Sequence, residues 1–137
     1  MKVMPTVLYY FLFASKKYIL RLMQKKRSLC ALTNFLDQFG DKWSLLIMRD
    51  LFLYKSREYG DFLPLSVGES PSTNILATRL KHLVDLGYVS KKKHPRDGKK
   101  YIYTLTNKGK SLRPVLQTII DWGGEHINGT YTKTLRS

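Results

Sequence analysis

The chain has 137 residues, 43% of them hydrophobic, with 24 Lys and Arg against 10 Asp and Glu and a formal net charge of +14. That length suits one domain with a core of its own. Two things are excluded: a membrane-spanning helix, since no apolar run is long enough, and an intrachain disulfide, since Cys30 is the only cysteine. A single thiol fits a reducing cytoplasm.

Charge is concentrated at the two ends. Residues 1–27 hold seven basic and no acidic residues, 28–87 hold six and seven, and 88–137 hold eleven and three. Local basic excess is the footprint of a polyanionic partner.

Residues 1–22 are aromatic and basic and look foreign to the rest. The apolar run Val7 to Ala14 has the flavour of a signal-peptide core, but it is short and basic residues follow where a cleavage site should be. Met23, followed by Gln-Lys-Lys-Arg-Ser, reads like a natural start. The expected organisation is an atypical extension over 1–22, a main domain over 23–127 and a loose tail over 128–137. The extension is read as in-frame upstream sequence or an extra helix over 7–23. A membrane-surface helix there is the minor alternative.

Ser28 is placed to cap a helix over 29–39, with Leu32, Phe35, Leu36 and Phe39 on its apolar side and Gly40 ending it. Asp41 caps the next, over 42–54, where Trp43, Leu46, Ile47, Met48, Leu51 and Phe52 make a core helix. Glu58 to Leu65 reads as a short helix burying Tyr59, Phe62 and Leu63, and Gly68 to Pro71 as a turn. Ser72 caps a helix from Thr73 to Leu86, stopped by Gly87. Tyr88 to Lys93 and Lys99 to Leu105 alternate as two strands around a turn over 94–98. Thr106 opens a last long helix running to about Ile127.

The helix over 73–86 buries Leu76, Leu80, Leu83 and Val84, with Ile75 and Leu86 flanking. Its other side shows Thr73, Asn74, Ala77, Thr78 and Lys81, with Ser72 at the cap. Small residues let a helix seat deeply in a major groove. Asn pairs with adenine, Thr bonds several base edges, and an Ala methyl meets the thymine methyl. An ordinary solvent face carries more Glu and Lys than this one. The hairpin beside it crowds Lys91, Lys92, Lys93, Arg96, Lys99 and Lys100 around a single acid, Asp97. Such cations contact phosphates, giving affinity and position rather than sequence choice, and Arg96 at the tip has the reach for a minor groove. A reading helix followed by a basic hairpin defines the expected fold: mainly α with a small β-wing, a winged helix-turn-helix.

With these residues placed, the chain resembles the HxlR-type winged helix-turn-helix regulators, relatives of the MarR class. The resemblance covers about residues 28–127 and rests on Cys30 ahead of the first helix, Gly40-Asp-Lys-Trp-Ser-Leu-Leu-Ile-Met-Arg-Asp50, Thr73-Asn-Ile-Leu-Ala-Thr-Arg-Leu80, Leu86-Gly-Tyr-Val89, Tyr103-Thr-Leu-Thr-Asn-Lys-Gly109 and Leu116 through Asp121-Trp-Gly123. It implies a homodimeric transcription factor on a palindromic operator of double-stranded DNA, joined through its first and last helices. Two departures are the extension over 1–22 and Ala31, where the family often has proline after the cysteine.

In part of that family the N-terminal cysteine senses oxidants or electrophiles. Cys30 lies in the first turn of a predicted helix after Lys25-Lys-Arg27, and both features favour thiolate. A small buried hydrophobe is the competing account. In the last helix Leu112, Val115, Leu116, Ile119, Ile120 and Trp122 recur at helical spacing. With Leu32 and Phe35 of the first helix, Leu112, Val115, Leu116, Ile119 and Trp122 are the expected dimer surface. His82, His94 and His126 have no metal-ligand spacing, and neither metal nor cofactor is expected. No nucleophile with a base, carboxylate pair or phosphate-cradling loop points to an enzyme. The competing functions are a non-specific or architectural nucleic-acid binder, driven by charge alone, and a membrane-surface protein held by residues 1–22.

Overall fold

A computed structural model describes residues 28–65, 70–132 and 134–135. The extension over 1–22, the helix over 7–23 and part of the turn at 68–71 lie outside the described residues. The described residues divide into two units, one ending at Gln38 and one beginning at Phe39.

Helix α1 spans Ala31–Phe39. The Ser28 hydroxyl accepts the Cys30 N–H at 3.0 Å, and the Asn34 amide donates to the Ser28 and Cys30 carbonyls at 2.7 Å each. The helix thus opens at Ala31, two residues later than expected, after a turn held by these bonds.

Helix α2 spans Ser44–Tyr54. The helix opens two residues later than expected, with Trp43 at its cap position, and Asp41 holds that start: one carboxylate oxygen accepts the Trp43 and Ser44 N–H groups at 2.9 Å each, and the other accepts the Ser44 hydroxyl. Ile47, Met48, Leu51 and Phe52 are buried; Trp43 and Leu46 are only half-buried. Asp50 is buried too, held by Arg49 at 2.9 Å and Arg57 at 3.3 Å. Arg57 in turn lies over the Tyr54 ring at 3.6 Å.

The expected helix over 58–65 is replaced by strand β1, Ser56–Glu58, and a 3-10 turn, Tyr59–Phe62. The Glu58 N–H donates to the Asp61 carboxylate at 2.8 Å, which favours the tight turn at that point. Phe62 and Leu65 are buried, whereas Tyr59 and Leu63 are half-buried.

Helix α3 spans Thr73–Asp85. Ser72 accepts the Ile75 N–H at 3.3 Å, and Gly87 turns the chain at φ 81°. That left-handed angle carries no Cβ penalty in glycine. Leu76, Leu80 and Leu83 are fully buried, the one-face stripe of an amphipathic helix.

Strands β2, Val89–Lys93, and β3, Tyr101–Leu105, form the hairpin. The antiparallel sheet has the order β1-β3-β2, with Lys91 opposite Tyr103 and Arg57 opposite the same Tyr103 from the other side. Tyr103 meets Phe62 edge-on at 5.9 Å between ring centroids.

The last long helix is broken into α4, Asn107–Lys110, and α5, Arg113–His126. Pro114 explains the break. It lacks the N–H that would bond to the Lys110 carbonyl, and its ring clashes with that carbonyl in a continuous helix. Thr106 caps α4 by accepting the Gly109 N–H at 3.1 Å, and its hydroxyl donates to the Gly87 carbonyl. Gly109 is buried, and a Cβ there would lie 2.1 Å from the Tyr88 carbonyl oxygen, so no side chain fits.

Leu135, expected in a loose tail, is 1% exposed. Its N–H donates to Gln117 Oε1 at 2.8 Å and its carbonyl accepts from Arg113 at 2.6 Å, both on α5. The Thr130 hydroxyl bonds the Gly123 and Ile127 carbonyls at 2.9 and 2.7 Å. One buried leucine, the two hydrogen bonds of Leu135 and the hydroxyl of Thr130, shared between the Gly123 and Ile127 carbonyls, thus tie this stretch to α5 and its end.

Candidate nucleic-acid interface

Thr73, Asn74, Ala77, Thr78 and Lys81 are all exposed on the side of α3 opposite its leucines, and Ser72 is exposed at its cap. The Tyr59 hydroxyl donates to the Thr73 carbonyl at 2.6 Å, so the 3-10 turn holds the first turn of α3. Two side chains are less free than the sequence implied. The Thr78 hydroxyl donates back to the Asn74 carbonyl at 2.8 Å, and Lys81 pairs with Asp85 one turn on at 2.6 Å. Asn74 and Ala77 are therefore the most available groups. Ile75, expected beside the buried stripe, is 42% exposed and adds an apolar contact near the start of the helix.

Partial burial raises the Asp41 carboxyl, but the Ser44 hydroxyl, the Trp43 and Ser44 N–H groups and the Arg79 guanidinium outweigh it and hold the pKa below its usual value. Arg79 reaches Asp41 at 3.5 Å and so joins α3 to the start of α2.

Strand geometry splits the wing lysines. Side chains alternate along a strand, so Lys91 and Lys93 share one face and Lys92 the other. Lys91 lies over the Tyr101 ring at 4.2 Å. Lys100 pairs with Glu58 at 3.2 Å, and His94 Nε2 approaches the same carboxylate at 3.6 Å. The loop closes through His94 N–H to the Lys100 carbonyl at 2.9 Å and Lys99 N–H to Asp97 at 3.0 Å. The Arg96 N–H donates to His94 Nδ1 at 3.1 Å, which gives His94 a structural part in the turn. Among the described residues no carboxylate pairs with Lys91, Lys92, Lys93, Arg96 or Lys99. All five are exposed. A cleft of about 870 Å³ joins helix to wing, lined by Ala77 and Lys81 on one side and Lys91, Lys100 and Tyr101 on the other. Tyr103 borders it, and burial first, then Tyr59 and Tyr101, pushes its hydroxyl pKa up.

The apolar residues of α5 divide between two surroundings. Leu112 and Leu116 are buried in the chain's own core and are not open to a partner, contrary to their placement in a dimer surface. Val115, Ile119 and Trp122 are exposed by 45, 46 and 58% and form a stripe on the outside. Trp122 stacks on His126 with centroids 4.7 Å apart. On α1, Leu32 is exposed and Phe35 half-buried. Cys30 is exposed, which removes the buried-hydrophobe account. The Thr33 backbone N–H and hydroxyl, then the Leu32 N–H, hold its thiol below the ordinary value.

Among the described residues no three His, Cys, Asp or Glu side chains come together as a metal site, and no helix is long and apolar enough to cross a membrane.

A helix packed by one leucine stripe, a free polar face and a lysine-rich antiparallel wing define a winged helix-turn-helix of the kind found in regulators of transcription. The sequence profile of the HxlR-like helix-turn-helix family matches residues 38–131, and the chain belongs to that family. An HTH-type transcriptional regulator of Synechocystis is 32% identical over 72% of this chain and 71% of its own length. One from Mycobacterium tuberculosis is also 32% identical, over 67% of this chain but only 56% of its own length, so the match spans little more than half of that relative. The crystal structure of PA1607, described as a candidate transcription factor, superposes with a TM-score of 0.65 at 35% identity, covering 82% of this chain and 75% of that one. These relatives are regulators of transcription, not enzymes.

Proposed function

We propose that this chain is a sequence-specific DNA-binding regulator that binds a palindromic operator as a homodimer. The observation that carries this reading is the pairing of two unlike surfaces. The outward face of α3 exposes small hydrogen-bonding groups with one cation, Lys81, neutralised by Asp85, while the adjoining wing exposes five cations that pair with no carboxylate among the described residues. The first is suited to base edges and the second to phosphates. In this reading Asn74 and Ala77 make the principal base contacts. Thr78 joins them by exchanging its internal bond for one to a base, while Ser72 and Thr73 meet the backbone. Lys91, Lys92, Lys93, Arg96 and Lys99 grip phosphates, and Lys81 and Lys100 follow only if they leave Asp85 and Glu58. The DNA-binding domain runs over 23–127 and works in the cytoplasm. The exposed stripe of Val115, Ile119 and Trp122 on α5 forms one contact between subunits, and Leu32 and Phe35 of α1 form another. A two-fold axis there sets two α3 helices about 34–36 Å apart, one per half-site.

Cys30 adds a signal input. An exposed thiol with a lowered pKa is the reactive kind. With one cysteine per chain, oxidation leads to a sulfenic acid, a mixed disulfide or a bridge to a second subunit.

Selection of the preferred site from random duplexes, then titration of that site and a scrambled one at several salt concentrations, tests the reading. Asn74→Ala should cost about 1–3 kcal/mol of discrimination between the two. Replacing Lys91, Lys92 and Lys93 by Ala should weaken both duplexes alike and flatten the salt dependence, because phosphate contacts release counterions. Equal affinity of the parent for selected and scrambled duplexes would leave a non-specific binder instead.

A further inference from the structure

A second cavity, of about 600 Å³, lies where the C-terminal end of α2, strand β3 and the start of α5 meet. Small-molecule sites run from roughly 300 to 1,000 Å³. The cavity shares no residue with α3 or with the loop over 94–100, so it is separate from the surface proposed to face DNA. Leu51, Phe52 and Leu105 supply an apolar lining, and Lys55, Lys110 and Arg113 supply three cations. Among the described residues no acid lines it, and no carboxylate lies within ion-pair distance of any of the three.

Arg113 is the telling group. Its guanidinium donates to the Leu135 carbonyl at 2.6 Å, and the Leu135 N–H is itself fixed by Gln117, so the head group is held in place. Its Nε is buried and has no hydrogen-bond partner. Arg49 and Arg57 also leave Nε unbonded, but each sets its charge against Asp50. Among the described residues Arg113 has neither a carboxylate nor a full set of acceptors. A charged donor in that state is costly unless an anion completes it.

We propose that this cavity binds a small amphipathic carboxylate, its charged end on Arg113 with Lys55 and Lys110 beside it, and its apolar body against Leu51, Phe52 and Leu105. The fork of a guanidinium matches two carboxylate oxygens. The apolar lining calls for a body of rings or alkyl chain, which a free phosphate or a DNA backbone lacks.

The probe is 2-naphthoate, added to the full chain and followed by amide chemical shifts, with neutral 2-naphthalenemethanol as its control. Saturable shifts centred on Lys55, Leu105, Lys110 and Arg113 are expected, with the alcohol binding roughly tenfold more weakly for loss of the charged hydrogen bonds. Arg113→Gln should weaken naphthoate by a similar factor and leave the alcohol unchanged. Lys110 is exposed, so Lys110→Gln keeps the fold and serves where Arg113→Gln loosens Leu135. Shifts centred on the wing or on the Ile119–Trp122 stripe, equal binding of acid and alcohol, or unchanged affinity in both variants would each overturn the proposal. No readout involves DNA, so the outcome is independent of operator binding.

Discussion

Helices α3 and α5 are built alike on the inside and oppositely on the outside. Each buries leucines at helical spacing: Leu76, Leu80 and Leu83 in one, Leu112 just before the other and Leu116 within it. Outside, α3 shows Asn74, Ala77 and Thr78, while α5 shows Val115, Ile119 and Trp122. Burial stabilises both helices, but only the outward faces differ in the partner they suit. A small polar face loses little by entering a hydrated groove. An apolar stripe gains by being covered with something equally apolar.

The largest effects should fall on the shared inner faces. Leu80→Ala and Leu116→Ala should each lower stability by about 3 kcal/mol, measured by urea denaturation, since both positions are closed to solvent. A mild result at Leu116 alone would break the likeness of the two helices.

On the outer faces stability and association should separate. Ile119→Glu should change the stability of an isolated chain by less than about 0.5 kcal/mol. In sedimentation equilibrium it should shift the proposed dimer to monomer. Thr73→Ala, exposed on α3, should leave sedimentation unchanged. An Ile119→Glu chain that still sediments as the parent does would remove α5 from the proposed interface.

A smaller effect sharpens the footing of α3. The Asp41 carboxyl has a depressed folded pKa, and Arg79 of α3 is among the causes. Its contribution is therefore present above the unfolded pKa of about 3.9 and lost as pH falls through the folded value. Asp41→Asn should be less stable than the parent near neutrality, with the gap closing as the medium is acidified. A gap that stays constant with pH would mean that the capping geometry matters and the charge does not.

The smallest effect is chemical. With its thiol pKa lowered by Thr33 and Leu32, Cys30 should alkylate at a lower pH than free cysteine does. Thr33→Val should move the rate profile back toward that of the free amino acid. A parent profile identical to free cysteine would remove the chemical ground for sensing.

The inner face of α3, its Ser72 cap, the Gly87 stop and the two wing strands were all legible in the chain, because each is set by neighbours within a few residues. What was not legible depended on distant partners. β1 is three residues, Ser56-Arg-Glu58, with no apolar alternation, and it exists because β3 pairs with it from more than forty positions away. Leu135 reads as tail until Gln117 and Arg113 are seen to hold it. The exposure of Thr73, Asn74, Ala77, Thr78 and Lys81 on the outer face of α3 was legible, but the pairings of the expected site residues were not. Lys81 and Asp85 pair four residues apart on one helix, while Glu58 and Lys100 are brought together only by the sheet. In the last helix Pro114 was the available signal for the break, and helical periodicity on both sides masked it.

The contact around Gly109 has a mechanical consequence. Thr106 grips the Gly87 carbonyl, its own N–H meets the Tyr88 carbonyl at 3.1 Å, and Gly109 presses against that same carbonyl with no room for a side chain. The end of α3 and the beginning of the α4–α5 segment are thus pinned at one point, like two arms of a lever on a single pivot. A methyl group at position 109 would act as a wedge in that joint, prising α4 away from the chain that leaves α3.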